Sequence, residues 1–524
     1  MHIHNIHRGG RRVLIGVAAA LTVAMGVPTL AQSGGQTASG ARPSMLRLSM
    51  QQAVDMALES NLGLKAQRLN PEMASLDLAS ARAAFKPSLF SGASRNTRQS
   101  TPTNFTESTA ATVTSSGFSM NAGVQQVLPW YGGSYQVNWS NNRSATTALS
   151  SFNPSLSSTV SFSFSQPLWR NFKVDGTRQN LKTTAEQAQI TDIRLQEQIV
   201  ATDRSVRLAY LRLIGAIESR KVAQTNLDVV RAALRNNQAR VEVGTMAPND
   251  IFDSQADVAS TEEAMISAEA SITAAQDALR ALIVDPARPD YWQVEIEPTD
   301  GIQVTPRPIN VDEAVKNALA HRTDLVSARK QLEITGLSLE LLHNATLPSV
   351  NASVNYSANG VGGNQLTYGG SALDPIVLSS TSRSFGSALA DAFSNNNPSW
   401  AYGVQVNYPI GQTAQQTSLA RAKLSRQQQE IDIRELELQV ATSVRALARQ
   451  VETNLKRVEA VRKSLEAQEH RQDATNKCFA VGLTSTFELN SAQRDLARVR
   501  NMLLQTMIDY NQSVIEFEAV QKIR

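Results

Sequence analysis

Two acids mark the places in this 524-residue sequence where chemical function is most concentrated, Asp250 and Glu488. Each follows a short break in a long apolar-periodic run: Val243-Gly244-Thr245 precedes Asp250, and Val481-Gly482-Leu483-Thr484-Ser485-Thr486 precedes Glu488. Gly482 suits a left-handed helix end, and the hydroxyls of Thr484, Ser485 or Thr486 can cap the helix that follows. A carboxylate in a first helical turn is favoured by the unpaired N–H groups there, so both acids have a purely structural reading. Nothing else is grouped as a reaction requires. Cys478 is the only cysteine, which leaves no intramolecular disulfide and no cysteine-based metal site. His321, His343 and His470 are far apart, and no phosphate loop, nucleophile elbow or metal constellation is present. The sequence therefore predicts no enzyme and no cofactor.

The helices that must carry these breaks are long. From Gln412 the chain holds no proline, and Val440, Val444, Leu447, Val451, Leu455 and Val458 return in steps of three and four. One helix over 412–480 would be roughly 100 Å long at about 1.5 Å per residue, and a second runs from about 487 to the end. A matching helix is expected over 177–241, where Leu195, Ile199, Val206, Tyr210, Leu213 and Ile217 recur, with a return helix over 251–282.

The match extends further. Residues 48–89 align without a gap on 309–350 at an offset of 261, with Ala53, Leu58 and Pro87 answering Ala314, Leu319 and Pro348. Gln166-Pro167-Leu168 answers Tyr408-Pro409-Ile410, and the two breaks answer one another, Asp250 against Glu488 and Asp257 against Asp495. Each half reads helix, strands, long helix, turn, helix, a tandem duplication. The expected organisation is a first repeat over 48–284, a proline-rich linker over 285–308 with a short strand at 291–297, and a second repeat over 309–524.

Between the helices the pattern switches to a period of two. Val160, Phe162 and Phe164 alternate with serines, and Trp400, Tyr402, Val404, Val406 and Tyr408 alternate with small or polar residues. The second face carries Ser, Asn, Gln and Gly where a water-facing soluble sheet usually carries Lys and Glu. Apolar on one side, small and polar on the other, is the pattern of a transmembrane barrel strand. Residues 118–127 and 135–140 form a hairpin around Pro129-Trp130-Tyr131-Gly132-Gly133 with no counterpart in the second half, where 358–397 reads as an exposed loop.

The N-terminus is separate from this plan. Arg8, Arg11 and Arg12 precede an apolar run over 13–27, which is a secretory signal peptide over 1–31, followed by a flexible segment over 32–47. Removing those three arginines takes the formal charge from +4 to about +1, so the basic balance does not point to nucleic acid. After the signal no apolar run reaches the roughly 20 residues of a membrane helix, so any membrane part is a closed barrel.

The duplication, the Gln166-Pro167-Leu168 strand end that feeds a long helix, and the paired breaks at 243–245 and 481–483 together resemble the TolC-type outer-membrane efflux proteins. The resemblance covers about 48–520. It implies an α+β membrane protein, a homotrimer in which four strands per protomer make a twelve-stranded outer-membrane β-barrel, continuous with a long periplasmic α-helical barrel. The hairpin around Trp130 departs from that strand count. It further implies that Val243, Gly244, Thr245, Asp250, Val481, Gly482 and Leu483 meet a periplasmic adaptor protein, which joins the duct to an inner-membrane pump, proton-driven or ABC type. Glu488 falls on an acidic ring at the pore constriction. Ser491 stands where a second acid is expected, and Thr484 where some members carry a basic latch residue. The function implied is a passive exit duct of a tripartite efflux or type I secretion system. An exported coiled-coil surface protein without a channel is the other reading of the same helices.

Overall fold

In a computed structural model the two longest runs are single helices of equal length, because nothing in either interrupts the apolar stripe. The structure describes residues 45–102, 111–371, 374–408, 410–411 and 413–521. The signal peptide, most of the segment after it, and Pro409 of the strand-end motif lie outside these residues. In chain order the elements are β1 (Met45–Leu48), α1 (Met50–Ser60), α2 (Leu62–Ala83), β2 (Ser88–Ser100), β3 (Val113–Val127), β4 (Ser134–Thr146), β5 (Phe152–Pro167), α3 (Gly176–Glu242) and α4 (Asp250–Ile283). There follow β6 (Glu295–Pro298), α5 (Val311–His321), α6 (Thr323–Ala345), β7 (Ser349–Ser371), β8 (Asp374–Arg383), α7 (Phe385–Phe393), β9 (Pro398–Asn407), α8 (Ala414–Ala480) and α9 (Thr486–Gln521). The helices α1 and α2 recur as α5 and α6 at the offset read from the sequence. α3 and α8 each contain 67 residues, about 100 Å of helix.

α3 is flanked by α2 near the sheet and by α4 toward its far end; α6 and α9 flank α8 in the same way. The predicted stripe is the buried one, with Val440, Val444, Ala448, Val451 and Val458 covered on α8, and Val206, Tyr210 and Leu213 covered on α3. Midway along the helices a core of Leu48, Val54, Tyr210, Leu213, Leu279, Ile283 and Ile296 packs α1, α3 and α4 around a two-stranded parallel sheet of β1 and β6. The sequence assigned 45–47 to a flexible segment, but they pair with Glu295–Glu297 as part of β1. The expected strand over 291–297 is a 3-10 turn at Tyr291–Gln293 followed by the shorter β6.

The remaining strands form one antiparallel sheet in the order β2-β3-β4-β5-β7, with β8 and β9 both on the far side of β7. β9 pairs with the inner part of β7, from Ser349 to Ala358, and β8 with the outer part, from Gly363 to Ser371. The stretch 358–397, read as a loop, therefore contains the rest of β7, all of β8 and α7. Its Gly, Ser and Asn content hides a strand because those residues carry little β propensity. Gly360 shows why one is needed: a Cβ there would lie 1.8 Å from the Ala388 carbonyl oxygen, so glycine lets α7 rest directly on β7.

The register puts like residues in rows. Leu89, Val124, Val137, Phe162, Tyr356 and Trp400 are successive cross-strand partners on one face, and Ser88, Gln125, Gln136, Ser163, Asn355 and Ala401 on the other. A cavity of about 430 Å³ opens where that polar row meets Ala84 and Lys86. The charged residues of the sheet, Arg95, Arg98, Arg143, Asp374 and Arg383, all fall toward its outer end.

The strand-to-helix elbow after β5 is fixed by one arginine. Arg178 pairs with Asp175 and donates to the carbonyls of Asn171, at 2.9 Å, and Phe172, at 2.8 Å. Asn171 is held in turn by Asn344 at the end of α6 (2.8 Å), and the Tyr131 ring of the β3–β4 turn stacks on Phe172 at 4.7 Å. The hairpin that the sequence marked as extra is thus built into the sheet and its base.

Tyr210 ties the helices to the small parallel sheet: its hydroxyl lies 2.8 Å from the Leu48 carbonyl oxygen and 3.1 Å from Asp300 Oδ2. Burial pushes its phenol above the ordinary value of about 10. Because the folded-state value is the higher one, the hydroxyl's contribution is intact below about pH 10 and is lost as pH rises beyond it. We expect Tyr210→Phe to destabilise the protein by about 1–2 kcal/mol at neutral pH and to flatten the fall in stability above about pH 10. Thermal unfolding followed by circular dichroism across that range checks both.

Candidate functional site

The two breaks are turns with the same hydrogen-bond pattern at the far ends of the helical hairpins. Gly244 and Gly482 both take positive φ, 73° and 78°. Gly244 N–H donates to the Val241 carbonyl and Thr245 N–H to that of Arg240; Gly482 and Leu483 do the same to Phe479 and Cys478. This pair of bonds satisfies carbonyls that a helix end leaves open, and it needs a residue free to adopt the left-handed conformation. Around both turns apolar side chains face solvent: Val243, Val481, Leu483 and Phe487 are each at least 70% exposed, which a buried-core explanation does not account for.

Glu488 and Thr484 are brought together at the start of α9. The Thr484 hydroxyl donates to the Glu488 carboxylate, the Ser485 N–H lies 3.4 Å from the same oxygen, and the Glu488 N–H lies 3.3 Å from Ser485 Oγ. Ser485 and Glu488 thus satisfy one another's backbone as a reciprocal cap of α9. Ser491 lies one turn further along, half-buried. Asp250 is the first residue of α4.

The residues joining one hairpin to the other were not singled out by the sequence. Arg494 of α9 reaches Asp257 of α4 at 3.2 Å, Asn490 lies 3.5 Å from the same carboxylate, and the Arg240 guanidinium of α3 sits 4.2 Å above the Phe479 ring of α8. These three contacts border a cavity of about 720 Å³ that also meets Thr245, Thr484 and Phe487. Asp257 was visible only as the repeat counterpart of Asp495. Asp495 itself pairs inside its own hairpin, with Arg471 at 3.1 Å, so the two equivalent acids do different work. Among the described residues there is no metal-binding cluster of His, Cys, Asp or Glu, and no helix is long and apolar enough to cross a membrane.

The chain thus presents a two-faced antiparallel sheet at one end and, at the other, the apolar tips of two helical hairpins whose longer arms are about 100 Å. The family model described as outer membrane efflux protein matches residues 126–283 and again 314–520, and the chain belongs to that family. It is 24% identical over 359 residues, 67% of its length, to the outer membrane efflux protein BepC of Brucella suis, 69% of which is covered. Among solved structures, the CmeC outer membrane channel of Campylobacter jejuni matches with a TM-score of 0.65 at 12% identity, over 90% of this chain and 85% of that one. The outer membrane protein VceC of Vibrio cholerae matches with a TM-score of 0.63 at 14% identity, over 90% and 96%.

The Arg494–Asp257 pair is partly exposed, and such pairs contribute about 0.2–1 kcal/mol. Its effect is therefore expected in tip spacing and not in overall stability. With Cys478→Ser as background, spin labels at Thr245 and Leu483 should report a broader inter-tip distance distribution in Asp257→Asn. Arg498→Gln, which loses only an ion pair to Asp495 within its own helix, should leave the distribution unchanged.

Proposed function

We propose that this chain is one of three identical protomers forming the outer-membrane exit duct of a tripartite efflux or type I secretion machine. Membership in the outer membrane efflux family gives the location, a Gram-negative type outer membrane, and the passive duct role. The sheet is the single observation that carries the architecture. Its apolar face suits lipid and its small polar face suits a water-filled lumen. Its two edges are left open, where unpaired backbone groups cost several kcal/mol each in hydrocarbon, so copies of the chain must close it into a barrel. The long helices then continue the wall of the tube into the periplasm. A free-standing exported coiled-coil protein needs helices of this kind but has no use for a two-faced sheet.

The tips are the working end. The exposed Val243, Val481, Leu483 and Phe487 offer apolar contacts to a periplasmic adaptor, through which an inner-membrane pump supplies the energy. Glu488, held by Thr484 and Ser485 at the start of α9, charges the constriction, and the Asp257–Arg494 and Arg240–Phe479 contacts hold the hairpins together while it is closed. Opening requires only that weak, exposed contacts separate, while the midway core stays packed.

Outer-membrane fractionation with chemical crosslinking should give a trimer in that fraction; a soluble or surface-released dimer contradicts the duct. In planar bilayers Glu488→Ala should raise single-channel conductance and weaken block by divalent cations. Unchanged conductance together with unchanged block would remove Glu488 from the constriction.

A further inference from the structure

The wall contributed by each protomer is six strands wide across its inner part, where β9 lies beside β7, and again where β8 begins at Gly363. Across its inner part the partners run β2, β3, β4, β5, β7, β9; across its outer part β8 takes the place of β9 beside β7. β8 and β9 are both antiparallel to β7, so they run in one direction as two pieces of a single edge strand, interrupted where α7 crosses Gly360 and Gly362. The interior pairings are continuous: β2 with β3 from Ser88 to Ser100, β3 with β4 from Ser115 to Val127, and β4 with β5 from Ser134 to Ser144. The β3–β4 hairpin is therefore not a plug or a flap. Its turn is also anchored at the base, through Tyr131 on Phe172 and a 2.7 Å bond from Gln166 Nε2 to the Tyr131 carbonyl oxygen.

Resting on the trimeric reading above, we infer that three copies close an eighteen-stranded barrel, in which β2 of one protomer pairs with the split edge strand β9–β8 of the next. Both edges are free for this: β2 is exposed along nearly its whole length and β9 along all of it. Their directions agree as well. β2 leaves the helical end and β9 returns to it, so the seam is antiparallel like every other pair in the sheet. The contact is heterologous, one edge against a different edge, and closes as a ring when the rotation is one third of a turn. Barrel diameter grows roughly linearly with strand number, so this barrel is about half as wide again as one of twelve strands. Strand counts of 16–18 leave an open aqueous channel, and the lumen here is lined by the Ser, Gln and Asn rows. The outer exit is then never the narrowest point, and selection of cargo by size falls entirely on the periplasmic tip.

Disulfide trapping in the full chain, in outer membranes and with Cys478→Ser as background, tests this. Single cysteines stepped through 91–95 of β2 are combined with single cysteines stepped through 401–405 of β9, which covers the unknown stagger of the seam. At least one combination should give a ladder reaching three times the chain mass on a denaturing gel. Asn138→Cys with Ser161→Cys, partners across β4 and β5, should crosslink within one chain. Cysteines in β2 with cysteines in β5 should not, because two strands lie between them. A β2–β5 crosslink within a chain would show the hairpin displaced from the wall and a twelve-stranded barrel, overturning the inference while leaving the duct intact. A trimer with no β2–β9 product in any register also overturns it. A chain that is monomeric or absent from the outer membrane would instead overturn the duct reading on which the inference rests.

Discussion

Every backbone N–H and C=O inside a bilayer has to find a partner in the protein, because hydrocarbon offers none. A single copy of this sheet leaves the free sides of β2 and of β8 and β9 unpaired. The rest of the molecule follows from that condition. The cross-strand rows separate an apolar face from a polar one only if the register is kept over the whole sheet, and a slip of one residue would exchange the two faces. The small parallel sheet of β1 and β6, the Tyr210 hydroxyl and the Arg178 elbow hold helices and strands in one relation.

Stability is distributed to match. The midway core buries Leu, Ile, Val and Tyr side chains from three helices and two strands, whereas among the described residues the far ends of the hairpins are joined by a partly exposed ion pair, a cation–π contact and a long hydrogen bond. Segments with few buried contacts open at lower free energy than packed ones. The helices can therefore lean at their tips without loss of packing at the middle, and the exposed apolar residues there are available to another protein.

Glu488 has a structural role in the fold, and the constriction role proposed for it would fall on the same side chain. Its carboxylate completes the cap of α9 opposite the Ser485 hydroxyl, a pairing more specific than the hydroxyl cap and favoured first-turn acid read from the sequence. The cap also fixes where the charge stands relative to the turn. Asp257 and Asp495 show the opposite case: equivalent in the duplication, they are separated in function because α9 meets α4 from one side only.

Elements whose signal is long and repeated were readable from the residues alone. The 67-residue helices, their return helices, the two left-handed turns and the duplication were legible because apolar periodicity accumulates over many turns, and because each half repeats the other. β2, β8 and α7 were not legible. Arg95 and Arg98 interrupt the alternation of β2, and β8 and α7 lie in a stretch whose glycines and serines read as loop. They form because a weak strand becomes one when a neighbour supplies its hydrogen bonds. The same holds for Arg494 with Asp257, 237 residues apart, whose pairing depends on two hairpins packing side by side and leaves no trace in local spacing.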